Sequence, residues 1–476
     1  MNIAMILEMA ASAGDRPAAT EGGRSYSAAD LLRLARHAAD RFRDRSAVLY
    51  LGTNHLAYPV AVFGAALAGV PFVPLNYRLG RDQLDGLIQR HPGAEVLRSG
   101  DLDALLEPSE EAEPAVVPDN RDGTAVVLYT SGTTAAPKAA LLRHRHLLAY
   151  VLNTQDFAAA DPADAAVVAL PPYHVAGLMN LLTNLYTGRR IVYQAAFEPA
   201  GWLETVRREG ATHAMLVPTM LARITDLIGD GRADAPSLRS LAYGGARTPR
   251  PVVERALRQF PDTAFVNAYG LTETASTVSV LGPDDHWQAL ASTDPAVRDR
   301  LNSVGRPLPG IEVAIRGGDG ALLAPDATGL VFVRGEQISG EYEGAGGPGP
   351  DGWFATRDRG RLDGAGYLFI EGRADDTIIR AGENIAPAEI EDVLLQYPGV
   401  RDVAVLGVPD PEWGHRLVAV LVGSGDPEAV RAFARERLRS SKTPDTVVFR
   451  SELPRTATGK LLRRTLVSEL EEVTDV

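Results

Sequence analysis

The chain has 476 residues, room for about three structural units, and its 45% apolar and 23% charged residues exclude wholesale disorder. A net charge of −13 argues against a general nucleic-acid binder, since phosphate binding draws on cationic surface. The absence of cysteine excludes disulfides, a thiolate nucleophile and Cys-ligated zinc or iron–sulfur sites, and fits a reducing, cytoplasmic setting.

The first residues, MNIAMILEMAASAG, lack a basic segment and carry Glu8 inside the apolar run, so they do not read as a signal peptide. Ser27 and Asp30 predict a capping box, with Leu31, Leu34, Ala38 and Phe42 on one helical face behind it. Leu51 to Tyr77 carries no Asp, Glu, Lys or Arg, but Pro59, Pro71, Pro74, Gly64 and Gly69 break it. It reads as a buried helix and then a buried strand, with no membrane span. SAVLYLG and GVPFVPL are continuous apolar strands, the pattern of a parallel sheet covered on both faces.

Residues 101–122 suit a surface connection. Thr124–Tyr129, Ala165–Leu170 and Thr212–Val217 are predicted strands, and Pro251 opens a helix. This alternation predicts an α/β fold on mainly parallel sheets. Past Ser303 short runs such as IEVAI, LVFVRG and GYLFI predict a β-rich subdomain, and EGAGGPGPDG (343–352) a flexible loop. Beyond residue 375 the chain reads as a compact α+β unit of about 100 residues, which divides it into 1–374 and 375–476.

Four stretches carry candidate chemistry. YTSGTTAAPK, Tyr129 to Lys138, follows a predicted strand directly. Hydroxyls at Thr130, Ser131, Thr133 and Thr134 around Gly132, closed by Lys138, suit a polyphosphate, although the Walker pattern is absent. By itself the stretch is equally a polar solvent loop. NAYGLTET, Asn267 to Thr274, offers Glu273 as a hard oxygen ligand for Mg²⁺ and Thr272 as a phosphate donor, or a plain capped turn.

Asp358, in TRD, has the chemistry to hold ribose hydroxyls, and Arg373 to reach the same sugar or a phosphate; the bland alternative is surface ion pairs. Lys460 stands in PRTATGKLLRR, in a glycine-containing loop before a helix, where a lone lysine is usually solvated.

Taken in this order, the four stretches resemble the adenylate-forming, AMP-binding family over nearly the whole chain. The resemblance implies a large N-terminal domain and a small mobile C-terminal one. It implies that Thr130–Lys138 is the phosphate loop and that Gly244, Gly245 and Ala246 form the strand end beside adenine and the acid. Asn267, Ala268, Tyr269 and Gly270 belong to the adenine segment, with Tyr269 the stacking aromatic. Thr272 becomes the phosphate contact, Glu273 the magnesium ligand, Asp358 and Arg373 the ribose contacts, and Asp375 the hinge.

Lys460 becomes the lysine bridging acid and α-phosphate. The substrates and cofactors so implied are a carboxylic acid, ATP, Mg²⁺ and CoA, with a carrier protein as the other acceptor. Ala135 and Ala139 depart from the family loop, where glycine or serine and then glycine are usual; alanine is costly wherever φ must be positive.

PPYHVAGLMN, Pro171 to Asn180, resembles the segment walling the acyl pocket, with His174 matching its aromatic gate; a core histidine at a turn is the alternative. No Asp stands there to hold an α-ammonium group, which argues against an α-amino acid. Val175, Gly177, Leu178, Thr277 and Val278, with Gly244 and Gly270, suggest an apolar cavity for a fatty or aromatic acid. GENI before PAEIE, and PDPEWGHR, look more like a CoA ligase than a carrier-protein adenylation domain.

The leading reading is therefore an acid–CoA ligase working through an acyl-AMP. A stand-alone adenylating enzyme that serves a carrier protein, an amine or nitrite is the second. A catalytically weak nucleotide-binding regulatory protein is the third.

Overall fold

The computed structural model describes residues 1–107, 118–130, 137–380, 383–410, 413–456, 459 and 461–474. The fold is α/β, as the alternation predicts. The largest sheet has nine strands, and its centre runs Ala264–Leu271, Ser240–Gly244, His213–Leu216, Ala165–Val168 and Arg190–Tyr193. These pair in parallel, and antiparallel strands appear only toward the two edges. A five-stranded sheet joins Val48–Leu51, Phe72–Pro74 and Thr124–Thr130 in parallel, with Lys138–Arg143 antiparallel at one edge.

Local signals explain the helices around these sheets. Ser27 and Asp30 do form a capping box on the helix Ala28–Phe42, whose Leu31, Leu34, Ala38 and Phe42 are buried. The uncharged stretch folds as the helix Ala57–Ala68 and the strand Phe72–Pro74. Pro59 sits in that helix's first turn, where a missing N–H costs nothing, and Gly69 closes it at φ 74°. No helix among the described residues is long and apolar enough to cross a membrane.

The β-rich region is an antiparallel sheet of Glu312–Arg316, Gly329–Arg334, Phe354–Leu362 and Leu368–Arg373. TRD therefore lies inside a strand, with Asp358 opposite Arg373 in the register. Farther along, Val400–Asp410, Gly414–Gly423 and Thr446–Arg450 form a three-stranded sheet flanked by Pro387–Leu394, Pro427–Arg437 and Arg463–Thr474. Two apolar cores are drawn entirely from residues 378–470.

Candidate active site

Part of the candidate set, Lys138, Glu273, Tyr269, Asp358 and Arg373, collects where three sheets approach one another. Thr130 ends its strand paired with Lys138, and its hydroxyl donates to the Lys138 carbonyl at 3.4 Å. Ser131, Gly132, Thr133, Thr134 and Ala135 lie outside the described residues. Ala139 sits in a regular strand opposite Tyr129 and is not among the positive-φ residues, so alanine there carries no backbone strain.

The Lys138 ammonium lies 5.8 Å from the Tyr342 ring centre, and the Tyr342 hydroxyl donates to Glu273 Oε1. Burial and the Glu273 carboxylate raise the Tyr342 phenol, which stays protonated as the donor. The Glu273 carbonyl accepts the N–H groups of Ser339 and Gly340, at 2.9 Å each. Tyr342 was not a sequence candidate: one aromatic ahead of a glycine-rich run has no spacing that marks it.

Thr272–Thr274 is a short 3₁₀ turn after the strand Ala264–Leu271, with Thr272 partly exposed and Glu273 buried. Ala275 and Ser276 follow with φ of 49° and 98°. Non-glycine residues rarely hold such values, and they concentrate at functional sites. Gly270 is what lets this turn close, because a Cβ there would stand 1.8 Å from the Ser276 carbonyl. Gly244 similarly leaves room for the Ala268 carbonyl, 2.1 Å from where its Cβ would be. Gly245 continues at φ 85° and is exposed, and Ala246 is half-buried.

On the neighbouring sheet, Asp358 is buried and takes the Tyr269 hydroxyl at 2.5 Å and Arg373 Nη1 at 3.0 Å. Burial and this carboxylate push the Tyr269 phenol well above its usual range. Burial works against the Arg373 cation, but Asp358 and then Glu273 offset it and raise the guanidinium pKa. Glu273 and Asp358 thus act on one cation, which ties the two halves of the site together. Arg357, at φ 64° between Thr356 and Asp358, is a further strained residue and stands 4.0 Å from Asp375. Asp375 is exposed in the short turn Ala374–Asp376.

Other candidates fall elsewhere. Asn267 donates to the Ser303 carbonyl at 3.1 Å. Leu178 and Val278 have no exposed surface and belong to packed apolar cores, so neither lines an open cavity; apolar character alone did not reveal which way they face. A Cβ at Gly177 would stand 2.9 Å from the Pro171 carbonyl, and Thr277 is buried. Val175 is half-buried beside His174, at the start of the helix Val175–Thr187.

The His174 ring stacks 4.5 Å from Tyr173, and burial, with the Arg78 cation, lowers its pKa to about 4. Its Nε2 is buried without a partner among the described residues. Lys460 lies outside the described residues. Its neighbour Gly459 abuts Thr219, on a cleft of about 270 Å³ that Arg78, Arg223 and Arg455 also line.

A magnesium ion fits this chemistry. Among the described residues no group of three or more His, Cys, Asp or Glu is placed to hold a metal ion by itself. Glu273 offers a buried carboxylate with no basic side chain within ion-pair distance among the described residues, and Mg²⁺ is commonly held by one or two carboxylates plus substrate phosphates.

Fold and site together define an enzyme of the adenylate-forming class. Residues 87–343 match the model of the AMP-binding enzyme family, and residues 389–460 that of the AMP-binding enzyme C-terminal domain. A feruloyl-CoA synthase from Amycolatopsis is 35% identical, over 94% of each chain. A fatty acid–[acyl-carrier-protein] ligase, ScoC, from Streptomyces coeruleorubidus is 31% identical, over 88% of this chain and 86% of its own. Among solved structures, the o-succinylbenzoate CoA synthetase MenE of Bacillus subtilis, in complex with its acyl-adenylate intermediate, matches with a TM-score of 0.82 at 28% identity, over 97% of both chains. The chain belongs to the AMP-binding enzyme family, a family of adenylate-forming ligases.

Proposed function

We propose that the chain activates a fatty or aromatic carboxylic acid with ATP and passes the acyl group to CoA. A carboxylate oxygen attacks the α-phosphorus of ATP, the bond to the β-phosphate oxygen breaks, and pyrophosphate leaves. A deprotonated thiol then attacks the acyl carbon and AMP leaves. The first step converts a poor leaving group into a good one, which is why the acid needs ATP at all.

The observation that carries this reading is the convergence of Lys138, Tyr342 and Glu273 with Arg373, Asp358 and Tyr269. Thr130–Lys138 and Thr272 are suited to the phosphates, Asp358 and Arg373 to the ribose, and Tyr269, beside Gly244–Ala246, to the adenine. Mg²⁺ held by Glu273 would supply positive charge to the phosphoryl oxygens. Lys460 would bridge the acid and the α-phosphate during the first step. His174, neutral at physiological pH, would gate the acyl pocket without contributing charge.

Residues 375–476 act as a mobile unit turning about Asp375. That motion takes Lys460 away after adenylation and brings the GENI segment toward the thiol. Asp375 is exposed and bridged only loosely to Arg357, in keeping with a hinge. The arginines lining the cleft beside Gly459 suit the anionic part of CoA. The likeness to ScoC favours one second reading, a carrier-protein thiol as acceptor.

A panel of fatty and aromatic acids, assayed for pyrophosphate release with CoA, with a holo-carrier protein and with neither, tests the reading. Acid-dependent release and a thioester formed with CoA support it. ATP binding without release across the panel points instead to a regulatory nucleotide binder.

A further inference from the structure

Arg90, which belongs to none of the four candidate stretches, clasps the two described ends of the stretch Tyr129–Lys138. It follows directly on the helix Arg81–Gln89, and its N–H donates to the Leu87 carbonyl at 3.2 Å, so the helix end fixes where its side chain starts. Its Nη1 donates to the Pro137 carbonyl at 3.2 Å, and its guanidinium lies 5.0 Å from the Tyr129 ring centre. Its Nη2 pairs with Glu343. Tyr129 is next to last in the strand Thr124–Thr130, and Pro137 immediately precedes Lys138. The Tyr129 hydroxyl is held as well, 2.8 Å from His91 Nε2. A planar guanidinium, with several donors in a fixed fork, can make such contacts at once.

The pairing with Glu343 reaches the segment that faces Lys138. Glu343 N–H donates to the Ala139 carbonyl at 2.9 Å. Glu341, on the other side of Tyr342, pairs with Arg143 at 2.7 Å. Both neighbours of Tyr342 are therefore anchored by arginines, while Tyr342 itself meets Glu273 and the Lys138 ammonium. Arg90 thus bears on Lys138 from two sides, through Pro137 before it and through Glu343 beside Tyr342. Arg90 and Glu343 are both exposed, and an exposed pair contributes little to stability. What the pair supplies is geometry.

We propose that Arg90 is a positioning residue for the polyphosphate of ATP: it fixes the backbone at Pro137, and with it the direction of the Lys138 ammonium. This rests on the acid-activating reading above, with Lys138 directed at the phosphates beyond the α-phosphate. Arg90 then matters only while those phosphates are present. Its effect ends once pyrophosphate has left, because AMP and the acyl-adenylate carry the α-phosphate alone. A role confined to the helix end, where a cation is favoured by the dipole, would lower the thermal midpoint and leave every nucleotide alike.

Calorimetry with ATP and with AMP, on the wild type and on Arg90→Met, tests it. Arg90→Met should weaken ATP binding about tenfold, the scale of one charge-assisted contact, and leave AMP within about twofold. The half-reactions should divide in the same way. KM for ATP in acid-dependent pyrophosphate release should rise about tenfold, and thioester formation from supplied acyl-AMP should stay within about twofold. Arg90→Lys keeps the charge opposite Glu343 but not the fork, and should recover part of the ATP affinity. Glu343→Gln should weaken ATP in the same direction, and adding it to Arg90→Met should bring little further loss. Thermal unfolding shows which variants fold, and Arg90→Gln replaces the methionine variant if that one does not. Equal weakening of ATP and AMP, or no change in either, in a folded variant overturns the proposal while leaving acid activation standing. No pyrophosphate release by the wild type with any acid overturns both.

Discussion

The Tyr269 hydroxyl and the Asp358 carboxylate, 89 residues apart in the chain, meet at 2.5 Å, and Arg373 reaches the other carboxylate oxygen at 3.0 Å. One buried carboxylate thereby joins a strand of the nine-stranded sheet to the antiparallel sheet beside it. Arg373→Met takes the counter-charge from a buried anion, a change that costs about 3–5 kcal/mol. Tyr269→Phe removes one donor, at about 1–3 kcal/mol. Both appear as lowered thermal midpoints, with Arg373→Met the larger. Asp358→Asn should weaken ATP binding about tenfold by calorimetry, beyond any change in stability, since the proposed charge-assisted bond to the ribose would be lost.

Gly270 tests the geometry of the turn that presents Glu273. A Cβ there would overlap the Ser276 carbonyl, 1.8 Å away, and backbone cannot move aside as a flexible side chain can. Gly270→Ala should therefore cost about 3 kcal/mol or prevent folding, as overpacking does. Soluble yield and thermal midpoint report it. Ala139→Gly, in a regular strand, should lower the midpoint only slightly, by about 1 kcal/mol.

Five histidines, at 144, 146, 174, 213 and 286, are lowered to about 4, each chiefly by burial. The unfolded chain binds their protons near pH 6.5, whereas the folded chain binds them only near 4. Stability is therefore full above about pH 6.5 and falls as the pH drops toward 4. Urea midpoints should hold nearly level from pH 7.5 to about 6.5 and decline from there to pH 5. His286 has no exposed surface and meets both Tyr243 and the Gly282 carbonyl. His286→Gln should lower stability at pH 7 and flatten the decline by about 1 kcal/mol per pH unit.

Lys460→Ala separates the two half-reactions. Acid-dependent pyrophosphate release should fall about 10²- to 10³-fold, the loss expected when a donor to developing charge is removed. Thioester formation from supplied acyl-AMP should stay near the wild-type rate. Equal losses in both steps would contradict the two-conformation scheme. Arg247 donates to the Ala388 carbonyl at 3.1 Å and pairs with Asp392, bridging the regions on either side of Asp375. Arg247→Ala should shift the balance of the half-reactions by only a few fold, since exposed ion pairs contribute about 1 kcal/mol or less.

What was legible in the sequence was local. The Ser27–Asp30 capping box and the prolines opening helices depend on neighbours in the chain. Glu273, Asp358 and Arg373 stood out because each lies in a short run of polar residues at a strand end or within a strand. Long-range register was not legible. Tyr342 reaches Glu273 only because the segment Ser339–Tyr342 lies along Lys138–Arg143, with Leu141 N–H donating to the Glu341 carbonyl at 3.0 Å. The positive φ values at Ala275, Ser276 and Arg357 have no composition signal, since none is glycine. Leu178 and Val278 show that an apolar residue near a site is as readily core as cavity wall.

The most direct measurement of acyl-adenylate formation follows oxygen. A substrate acid labelled with ¹⁸O in both carboxylate oxygens is turned over with ATP and CoA, and the AMP is analysed by mass spectrometry. Attack of the carboxylate on the α-phosphorus, followed by thiol attack on carbon, leaves one labelled oxygen in each AMP. Unlabelled AMP, or label released in inorganic phosphate with ADP as co-product, would contradict adenylation.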